Sequence, residues 1–114
     1  MLPFRRRLTF EQRRTERQRI APLHPNRIPV IAEAATPETP RCDKEKFLVP
    51  PDLTAAQFLF VLRKRIRLTS QDALFLLVAN TVPPASAAMW ELHGRHAETD
   101  GFLYVVYTRE NTFG

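Results

Sequence analysis

The residues from Lys46 to Pro50 alternate in a way that predicts a β-strand with two apolar faces. Successive side chains of a strand point to opposite faces, so Phe47 and Val49 share one face while Lys46 and Leu48 share the other. Pro50 cannot donate a backbone hydrogen bond, which is typical of strand ends and of strands at the edge of a sheet. We therefore expect an edge strand that can accept an extended peptide, with a pocket on either side. The alternative left open by these five residues is an ordinary core strand.

Three further segments have the composition of strands. Residues 27–33 alternate in the same way as the edge strand that follows them. The continuous apolar run 73–78 predicts a central strand covered on both faces, and 102–108 predicts a strong last strand. The intervening segment 34–41 is rich in Pro and Thr and is expected to be a loop.

Two capping boxes predict helices. Thr9 and Thr54 are each followed three residues later by Gln, the pattern that begins a helix. The first helix, bounded by Pro22 and Pro25, carries few apolar residues, so it must dock through a narrow stripe. The second runs to about Leu68 and has two apolar stripes, one for the core and one for a pocket wall. The stripes are Leu59, Leu62 and Ile66, and beside them Phe58, Val61 and Arg65.

A small turn or helix at 2–4 and a short helix over 86–93 complete the element order. Two strands, a crossing helix and two more strands predict an α+β fold, the ubiquitin-like β-grasp, with helices added in front. We expect residues 1–23 to form an N-terminal helical extension packed on a core of residues 24–114, which ends in a polar tail.

Length and composition narrow the class of protein. A chain of 114 residues is long enough for one domain with a stable core. Cys42 is the only cysteine, which suits a reducing, cytoplasmic compartment and excludes an intrachain disulfide. No apolar run approaches the roughly 20 residues of a membrane span, and the arginine-rich start lacks the apolar region of a signal peptide. Any membrane association is expected to need a modification or a partner.

The net charge of +5 is concentrated at the N-terminus. Residues 1–30 hold eight arginines against Glu11 and Glu16. Such a segment attracts acidic peptides, anionic lipid, tubulin tails or nucleic acid without choosing among them. No aromatic RNA-reading motif accompanies the charge, so nucleic acid is not an expected partner.

The sequence gives little support for catalysis or cofactor binding. Cys42 with His24, His93 or His96 lacks an oriented third group, so a thiol nucleophile is disfavoured. His93 and His96 share a helical face but lack the further ligands of a metal site. The three glycines lie at 94, 101 and 114 and form no phosphate loop. We expect no enzyme activity, no cofactor and no bound metal.

Several segments together resemble one family, the autophagy ubiquitin-like modifiers of the GABARAP and microtubule-associated protein light chain type. The resemblance extends from about Phe4 to Gly114, with the blocks in family order and spacing. The matching blocks are Thr9-Phe10-Glu11-Gln12-Arg13, Arg27-Ile28-Pro29-Val30-Ile31, Asp43-Lys44-Glu45-Lys46-Phe47-Leu48-Val49-Pro50, Asp52-Leu53-Thr54, Arg63-Lys64-Arg65-Ile66, Gly101-Phe102-Leu103-Tyr104 and Glu110-Asn111-Thr112-Phe113-Gly114.

The resemblance implies a peptide-binding mode. Family members bind short partner peptides as an added strand beside the second strand, and the peptide carries an aromatic residue, an aliphatic residue three positions on, and acidic neighbours. The implied aromatic pocket consists of Glu16, Ile20, Pro29, Ile31, Lys46, Leu48 and Phe102. The implied aliphatic pocket consists of Phe47, Val49, Pro50, Leu53, Phe58, Val61 and Leu62, with Arg65 at its rim. Arg27, Lys44 and Lys46 would receive the acidic neighbours.

The resemblance also implies conjugation through Gly114. In the family an activating enzyme adenylates the terminal glycine carboxylate, cysteine thioesters carry it to a conjugating enzyme, and it is joined to the amine of phosphatidylethanolamine. A cysteine protease commonly removes residues that follow the glycine. These enzymes, cargo receptors and the autophagosome membrane are therefore the expected partners of a protein that is otherwise cytoplasmic and monomeric. The alternative is an unconjugated trafficking or microtubule-associated adaptor that uses the same groove, with tubulin bound at the basic N-terminus.

Three positions depart from the family pattern. The loop 34–41 is about two residues shorter than in close relatives, which bears on partner preference. Cys42 stands where an apolar residue is common and is expected to fill the core. Trp90 stands where relatives often have a small residue; we expect it to be partly buried, although an exposed indole would be an extra contact. The run 74–78, a second binding surface in some family members, is expected to belong to the core here.

Overall fold

The computed structural model describes residues 2–109, in which four helices and four strands occur. In chain order they are α1 (Phe4–Arg7), α2 (Phe10–Leu23), β1 (Ile28–Ala34), β2 (Lys46–Val49), α3 (Ala55–Ile66), β3 (Phe75–Leu77), α4 (Met89–His96) and β4 (Leu103–Thr108). The predicted order of helices and strands is confirmed. Both predicted capping boxes are present, since Thr9 and Thr54 each accept the backbone N–H of the Gln three residues on.

The strands form one mixed sheet in the order β2-β1-β4-β3. β1 pairs with β2 in an antiparallel and with β4 in a parallel arrangement, and β3 pairs with β4 in an antiparallel one. The prediction of a central strand at 73–78 is therefore wrong, because β3 lies at an edge and the central strands are β1 and β4. The reason is that an apolar run reports burial of the two faces, while the lateral neighbours of a strand are decided by pairing.

The larger core lies between the sheet and α3 with α4. Phe58 and Leu62 of α3 and Met89 of α4 are fully buried against Val30 and Leu103. The core stripe of α3 therefore runs through Phe58 and Leu62, which the sequence assigned to different stripes. Of the other stripe residues, Leu59 and Ile66 are partly buried at the margin of this core, whereas Val61 and Arg65 are exposed. The run 74–78 contributes to the core as expected, with only Phe75 half-buried.

The opposite face of the sheet is covered by α1 and α2. Phe4 and Ile20 pack on Phe102 and Tyr104 in a second, smaller cluster, with the Phe4 and Phe102 rings edge to face at 5.4 Å. Because α2 buries a single large apolar side chain, polar contacts hold it in place. Arg13 Nε donates to the buried carboxylate of Asp100 at 2.9 Å.

The Asp100 carboxylate links α2 to the start of β4. It also accepts hydrogen bonds from the Phe102 backbone N–H at 2.9 Å and the Tyr104 hydroxyl at 2.5 Å. Burial, and then the hydrogen bond to Asp100, raise the pKa of Tyr104 well above its usual range, so its hydroxyl remains a donor. A buried carboxylate is thereby satisfied by one cation and two neutral donors.

Several element ends differ from the sequence prediction. α3 ends at Ile66 rather than Leu68, because Arg67 adopts a left-handed φ of 64°. Pro22 lies inside the last turn of α2 instead of bounding it, and the short helix expected over 86–93 begins at Met89. Residues 110–114 of the expected polar tail lie outside the described residues. Within the described part of the chain, no helix combines the length and apolar character needed to cross a bilayer.

The division of α3 into a buried and an exposed side yields a stability prediction. Leu62→Ala removes a side chain that is 0% exposed and should lower the free energy of unfolding by about 2–5 kcal/mol. The adjacent Val61, 37% exposed, is the matched control, and Val61→Ala should cost less than about 1 kcal/mol. Urea denaturation followed by circular dichroism measures both; losses of equal size would contradict the assigned core face.

Candidate functional site

β2 is an edge strand, as the sequence predicts. It pairs with β1 alone, in a register that sets Ile28 opposite Val49 and Ile31 opposite Lys46. Within residues 2–109 no strand pairs with its other side, so that side presents backbone hydrogen-bonding groups to an incoming chain.

The side chains of β2 enter two different apolar clusters. Leu48 packs against the smaller cluster beneath α1 and α2. Phe47 and Val49 belong to the larger core, where the Phe47 ring meets Phe58 edge to face at 5.4 Å. An extended ligand beside β2 would therefore lie over the seam between the two clusters.

The residues of the implied aromatic pocket lie together around Leu48. Ile20, Pro29, Ile31 and Phe102 are buried and form its floor, while Leu48 is half-buried. Glu16 of α2 and Lys46 of β2 form an ion pair at its rim. Leu48 packs against Ile20, Ile31 and Phe102 and so covers this floor.

Glu16 is held as a carboxylate by two cations. It accepts Arg19 Nε at 2.7 Å in addition to the Lys46 ammonium. The hydrogen bonds from Arg19 and then from Lys46 lower the pKa of Glu16 to about 2 from its ordinary value of 4.5. The Glu16 carboxylate at the rim of the aromatic pocket therefore stays ionised at neutral pH.

The residues of the implied aliphatic pocket divide into a buried floor and an accessible rim. Phe47, Val49, Phe58 and Leu62 are buried, Leu53 is half-buried, and Pro50, Val61 and Arg65 are exposed. The Arg65 guanidinium lies 6.0 Å from the centre of the Phe47 ring and 3.3 Å from Asp43. The rim thus joins the end of β2 to the exposed side of α3.

The structure separates the three cations expected to meet an acidic flank. Lys44 and Lys46 lie at the start of β2, with the Lys44 ammonium 5.1 Å from the Phe47 ring. Arg27 precedes Ile28, which pairs with Val49, so Arg27 lies at the opposite end of the edge strand. Only the two lysines can therefore receive the same end of a bound peptide.

A cleft of about 690 Å³ beside the start of β2 was not identified from the sequence. It lies between the N-terminal segment and the 41–45 loop, with Leu2, Arg7 and Tyr107 among its lining residues. Its lining residues come from separate parts of the chain, so no local sequence pattern predicts the cleft. Cys42 also lines it, and burial raises the pKa of the thiol, which makes it a poor nucleophile at neutral pH.

The remaining polar candidates Cys42 and His93 contact a tyrosine hydroxyl and a backbone carbonyl in the described part of the chain. Cys42 is half-buried at the margin of the larger core, and its backbone N–H donates to the Tyr107 hydroxyl at 2.9 Å. His93 Nε2 lies 2.9 Å from the Gly101 carbonyl. No set of three His, Cys, Asp or Glu side chains is placed to hold a metal ion among residues 2–109.

Gly114, the expected conjugation site, lies outside the described residues. β4 ends at Thr108, and the next residue, Arg109, donates to Asp72 at 2.7 Å. Asp72 is itself fixed by hydrogen bonds from the backbone N–H and hydroxyl of Thr69. The last described residue is thus tied to the loop between α3 and β3.

Comparisons with known proteins agree on one family. The family model described as "Autophagy protein Atg8 ubiquitin like" matches residues 12–114. Autophagy-related protein 8 of Saccharomyces cerevisiae is 49% identical over 112 residues, covering 97% of this chain and 96% of that protein. Autophagy-related protein 8a of Arabidopsis thaliana is 50% identical over 106 residues, with 92% and 87% coverage.

Solved structures of similar proteins have the same fold. The crystal structure of Trypanosoma brucei ATG8 superposes with a TM-score of 0.88 at 40% identity, covering 100% of this chain and 99% of that one. Plasmodium falciparum Atg8, solved in complex with a Plasmodium falciparum Atg3 peptide, superposes with a TM-score of 0.86 at 32% identity and 96% and 98% coverage.

The Glu16 ion pairs yield a pH prediction. Because the pKa of Glu16 is lowered on folding, its contribution to stability is present above about pH 4.5 and is lost as the pH falls towards about 2. Wild type should therefore exceed Glu16→Gln in the free energy of unfolding at pH 7, and this difference should shrink between pH 4.5 and 2. Urea titrations at pH 7, 4 and 2.5 measure it. Glu38→Gln, in an exposed loop, is the control, and a Glu16→Gln difference that does not change with pH would reject the assignment.

Proposed function

Because the chain belongs to the Atg8 family of ubiquitin-like autophagy proteins, we propose that it is a modifier joined through Gly114 to phosphatidylethanolamine, and that it recruits cargo receptors at β2. The observation that carries the proposal is an open sheet edge whose side chains enter two separate apolar clusters. The chain acts as substrate and adaptor in this role and catalyses none of the steps.

Peptide capture begins with backbone pairing along the free side of β2. An extended ligand there completes the hydrogen bonds that the edge leaves open, and this part of the binding is independent of sequence. The aromatic side chain of the ligand enters beside Leu48 when the Leu48 and Lys46 side chains move, and it rests on Ile20 and Phe102. An affinity near micromolar, about −8 kcal/mol, is ordinary for a contact of this size.

The aliphatic side chain of the ligand sits on the other cluster. Its seat is the rim formed by Pro50, Leu53 and Val61, above the buried Phe47 and Phe58. Two anchors on opposite sides of one strand fix the register of the ligand, because a shift by one residue would point each anchor to the wrong face. This constraint supports recognition of an aromatic and an aliphatic residue at fixed spacing.

Acidic residues beside the motif meet Lys44 and Lys46 at the start of β2. These cations are partly solvated, so they mainly raise the association rate and the selectivity for acidic flanks. A ligand carboxylate would replace Glu16 as the partner of the Lys46 ammonium. Arg19 would then remain the cation paired with Glu16. The ligand is therefore expected to bind less tightly as ionic strength rises.

Conjugation uses the terminal carboxylate. An activating enzyme would transfer AMP from ATP to the Gly114 carboxylate and release pyrophosphate. A cysteine thiolate would then displace AMP to form a thioester, and the lipid amine, losing a proton to water, would displace the thiolate to form an amide. Two acyl chains, at about 0.8 kcal/mol for each buried CH₂, would then hold the protein on an autophagosome membrane. The activating and conjugating enzymes, and a processing cysteine protease, are the partners of this step. The Plasmodium falciparum complex with an Atg3 peptide supports peptide capture by a protein of this fold.

Leu48→Asp tests the placement of the first pocket. A carboxylate at this position must be desolvated against the smaller cluster, so we expect at least a tenfold, roughly 1.4 kcal/mol, loss of affinity for an aromatic-x-x-aliphatic peptide. Val82→Asp, an exposed site in the loop after β3, is the matched control and should bind normally. Fluorescence polarisation with a labelled peptide measures both. Normal binding by a folded Leu48→Asp protein would refute the pocket.

Deletion of Gly114 tests the conjugation step. The truncated protein should give no phosphatidylethanolamine adduct with the activating and conjugating enzymes, vesicles and ATP, while its peptide affinity stays unchanged. The adduct is read as a mobility shift on a gel. A full-length chain that never shifts, but still binds the peptide, would favour the unconjugated adaptor. A mobility shift that persists after the deletion would reject Gly114 as the residue joined to the lipid.

A further inference from the structure

Trp90 is exposed, contrary to the expected partial burial. Its side chain is 56% exposed, although its neighbour in sequence, Met89, is fully buried and Leu92 is also in the core. These two core residues fix α4, so an apolar ring is held in solvent by a rigid helix. A large aromatic side chain costs free energy when left in water, and such rings are enriched at binding hot spots.

Trp90 lies beside the end of the edge strand. Its backbone N–H donates to the Pro51 carbonyl at 3.0 Å, and Met89 N–H donates to the Leu53 carbonyl at 2.8 Å. Pro51 is two residues beyond Val49, the last residue of β2. Pro50 and Pro51 therefore connect the Val49 end of β2 to the backbone of Trp90.

The surface next to Trp90 on α4 is open. Gly94, four residues on, lies on the same helical face, and a Cβ placed there would meet nothing within 4 Å. The exposed Pro50 and half-buried Pro51 continue this apolar surface towards the edge strand. Trp90 and Gly94 are thus both exposed on this face of α4.

We propose that Trp90 is a specificity-determining contact for the segment of a peptide ligand that flanks its core motif at the Val49 end of β2. The occupant is an apolar side chain of that flank, packed on the indole and on the two prolines. This inference rests on the proposed function, since it requires a ligand along β2. It adds a third anchor to the two pockets and a preference for ligands that extend beyond them.

The small size and the position of the patch favour a ligand flank over a second copy of the chain. One indole and two prolines present a few hundred Å², far below the roughly 1,200 Å² that a stable interface buries. The patch is, however, continuous with the edge strand through Pro50. A flank that is already tethered by the core motif loses little further entropy, so even a small contact raises its affinity.

Trp90 is the only tryptophan in the chain, so its fluorescence reports directly on this contact. The probes are three tryptophan-free peptides: an aromatic-x-x-aliphatic core, and the same core with four residues containing Leu and Phe added at either end. One extended peptide should bind about five- to tenfold more tightly than the core and shift the Trp90 emission to shorter wavelength. The core peptide should bind without that shift.

Trp90→Ala should abolish the gain from the extension and leave the affinity for the core peptide unchanged. Phe60→Ala is the matched control, since Phe60 is 57% exposed on α3 and should change neither affinity. Equal binding of all three peptides to wild type, or an unmoved emission spectrum, overturns the inference while leaving the proposed function in place. Loss of core binding in a folded Trp90→Ala protein also overturns it. Failure of every peptide to bind wild type removes the proposed peptide capture itself.

Discussion

The structure depends on β2 being paired on one side only while its side chains are fixed on both faces. Leu48 is held by the cluster beneath α1 and α2, and Phe47 and Val49 are held by the core beneath α3. Movement of the strand along its axis would expose apolar side chains on both faces at once, so its register is strongly determined. The edge therefore has one favoured register, although its outer side has no partner strand among residues 2–109.

The N-terminal helices complete one of these two clusters by largely polar means. α2 buries only Ile20 among its large side chains, and the helix is held to the sheet by Arg13 on Asp100 and by Lys46 on Glu16. These two pairs differ in setting, because Asp100 is buried whereas Glu16 and Lys46 are half-buried. The first positions α2 over Phe102, and the second lies where the proposed ligand side chain must enter. A polar attachment of α2 to the sheet is compatible with the proposed entry of a ligand side chain between α2 and β2.

The two parts of the proposed function, lipid conjugation and peptide binding, require different features of this fold. A modifier needs a carboxyl terminus that other enzymes can reach, whereas a peptide receptor needs a preformed edge. The described residues bear on the second requirement alone: β2 is one edge of the sheet, and β4 ends at Thr108 beside β3, the strand at the other edge.

Several elements have local signals, and these were predictable from the order of residues alone. The alternation of side chains over 46–49 predicted β2, and Pro50 indicated that this strand lies at an edge. The two Thr-x-x-Gln capping boxes predicted where α2 and α3 begin. The family blocks determined the fold, because they extend over nearly the whole chain. The residues expected around the two pockets do lie beside β2, and whether they bind a peptide stays a prediction.

Other features depend on contacts between distant segments and are visible only in the folded chain. In the folded chain β3 lies at an edge of the sheet rather than at the centre expected for 73–78, Arg27 is separated from Lys44, and Trp90 is in solvent. The cleft beside Cys42 likewise forms from four segments, namely 2–7, 32–34, 41–45 and Tyr107. The physical reason is the same in each case. The hydrophobicity and spacing of residues indicate which side chains favour burial, whereas strand pairing and helix docking determine which of them are buried and what they contact.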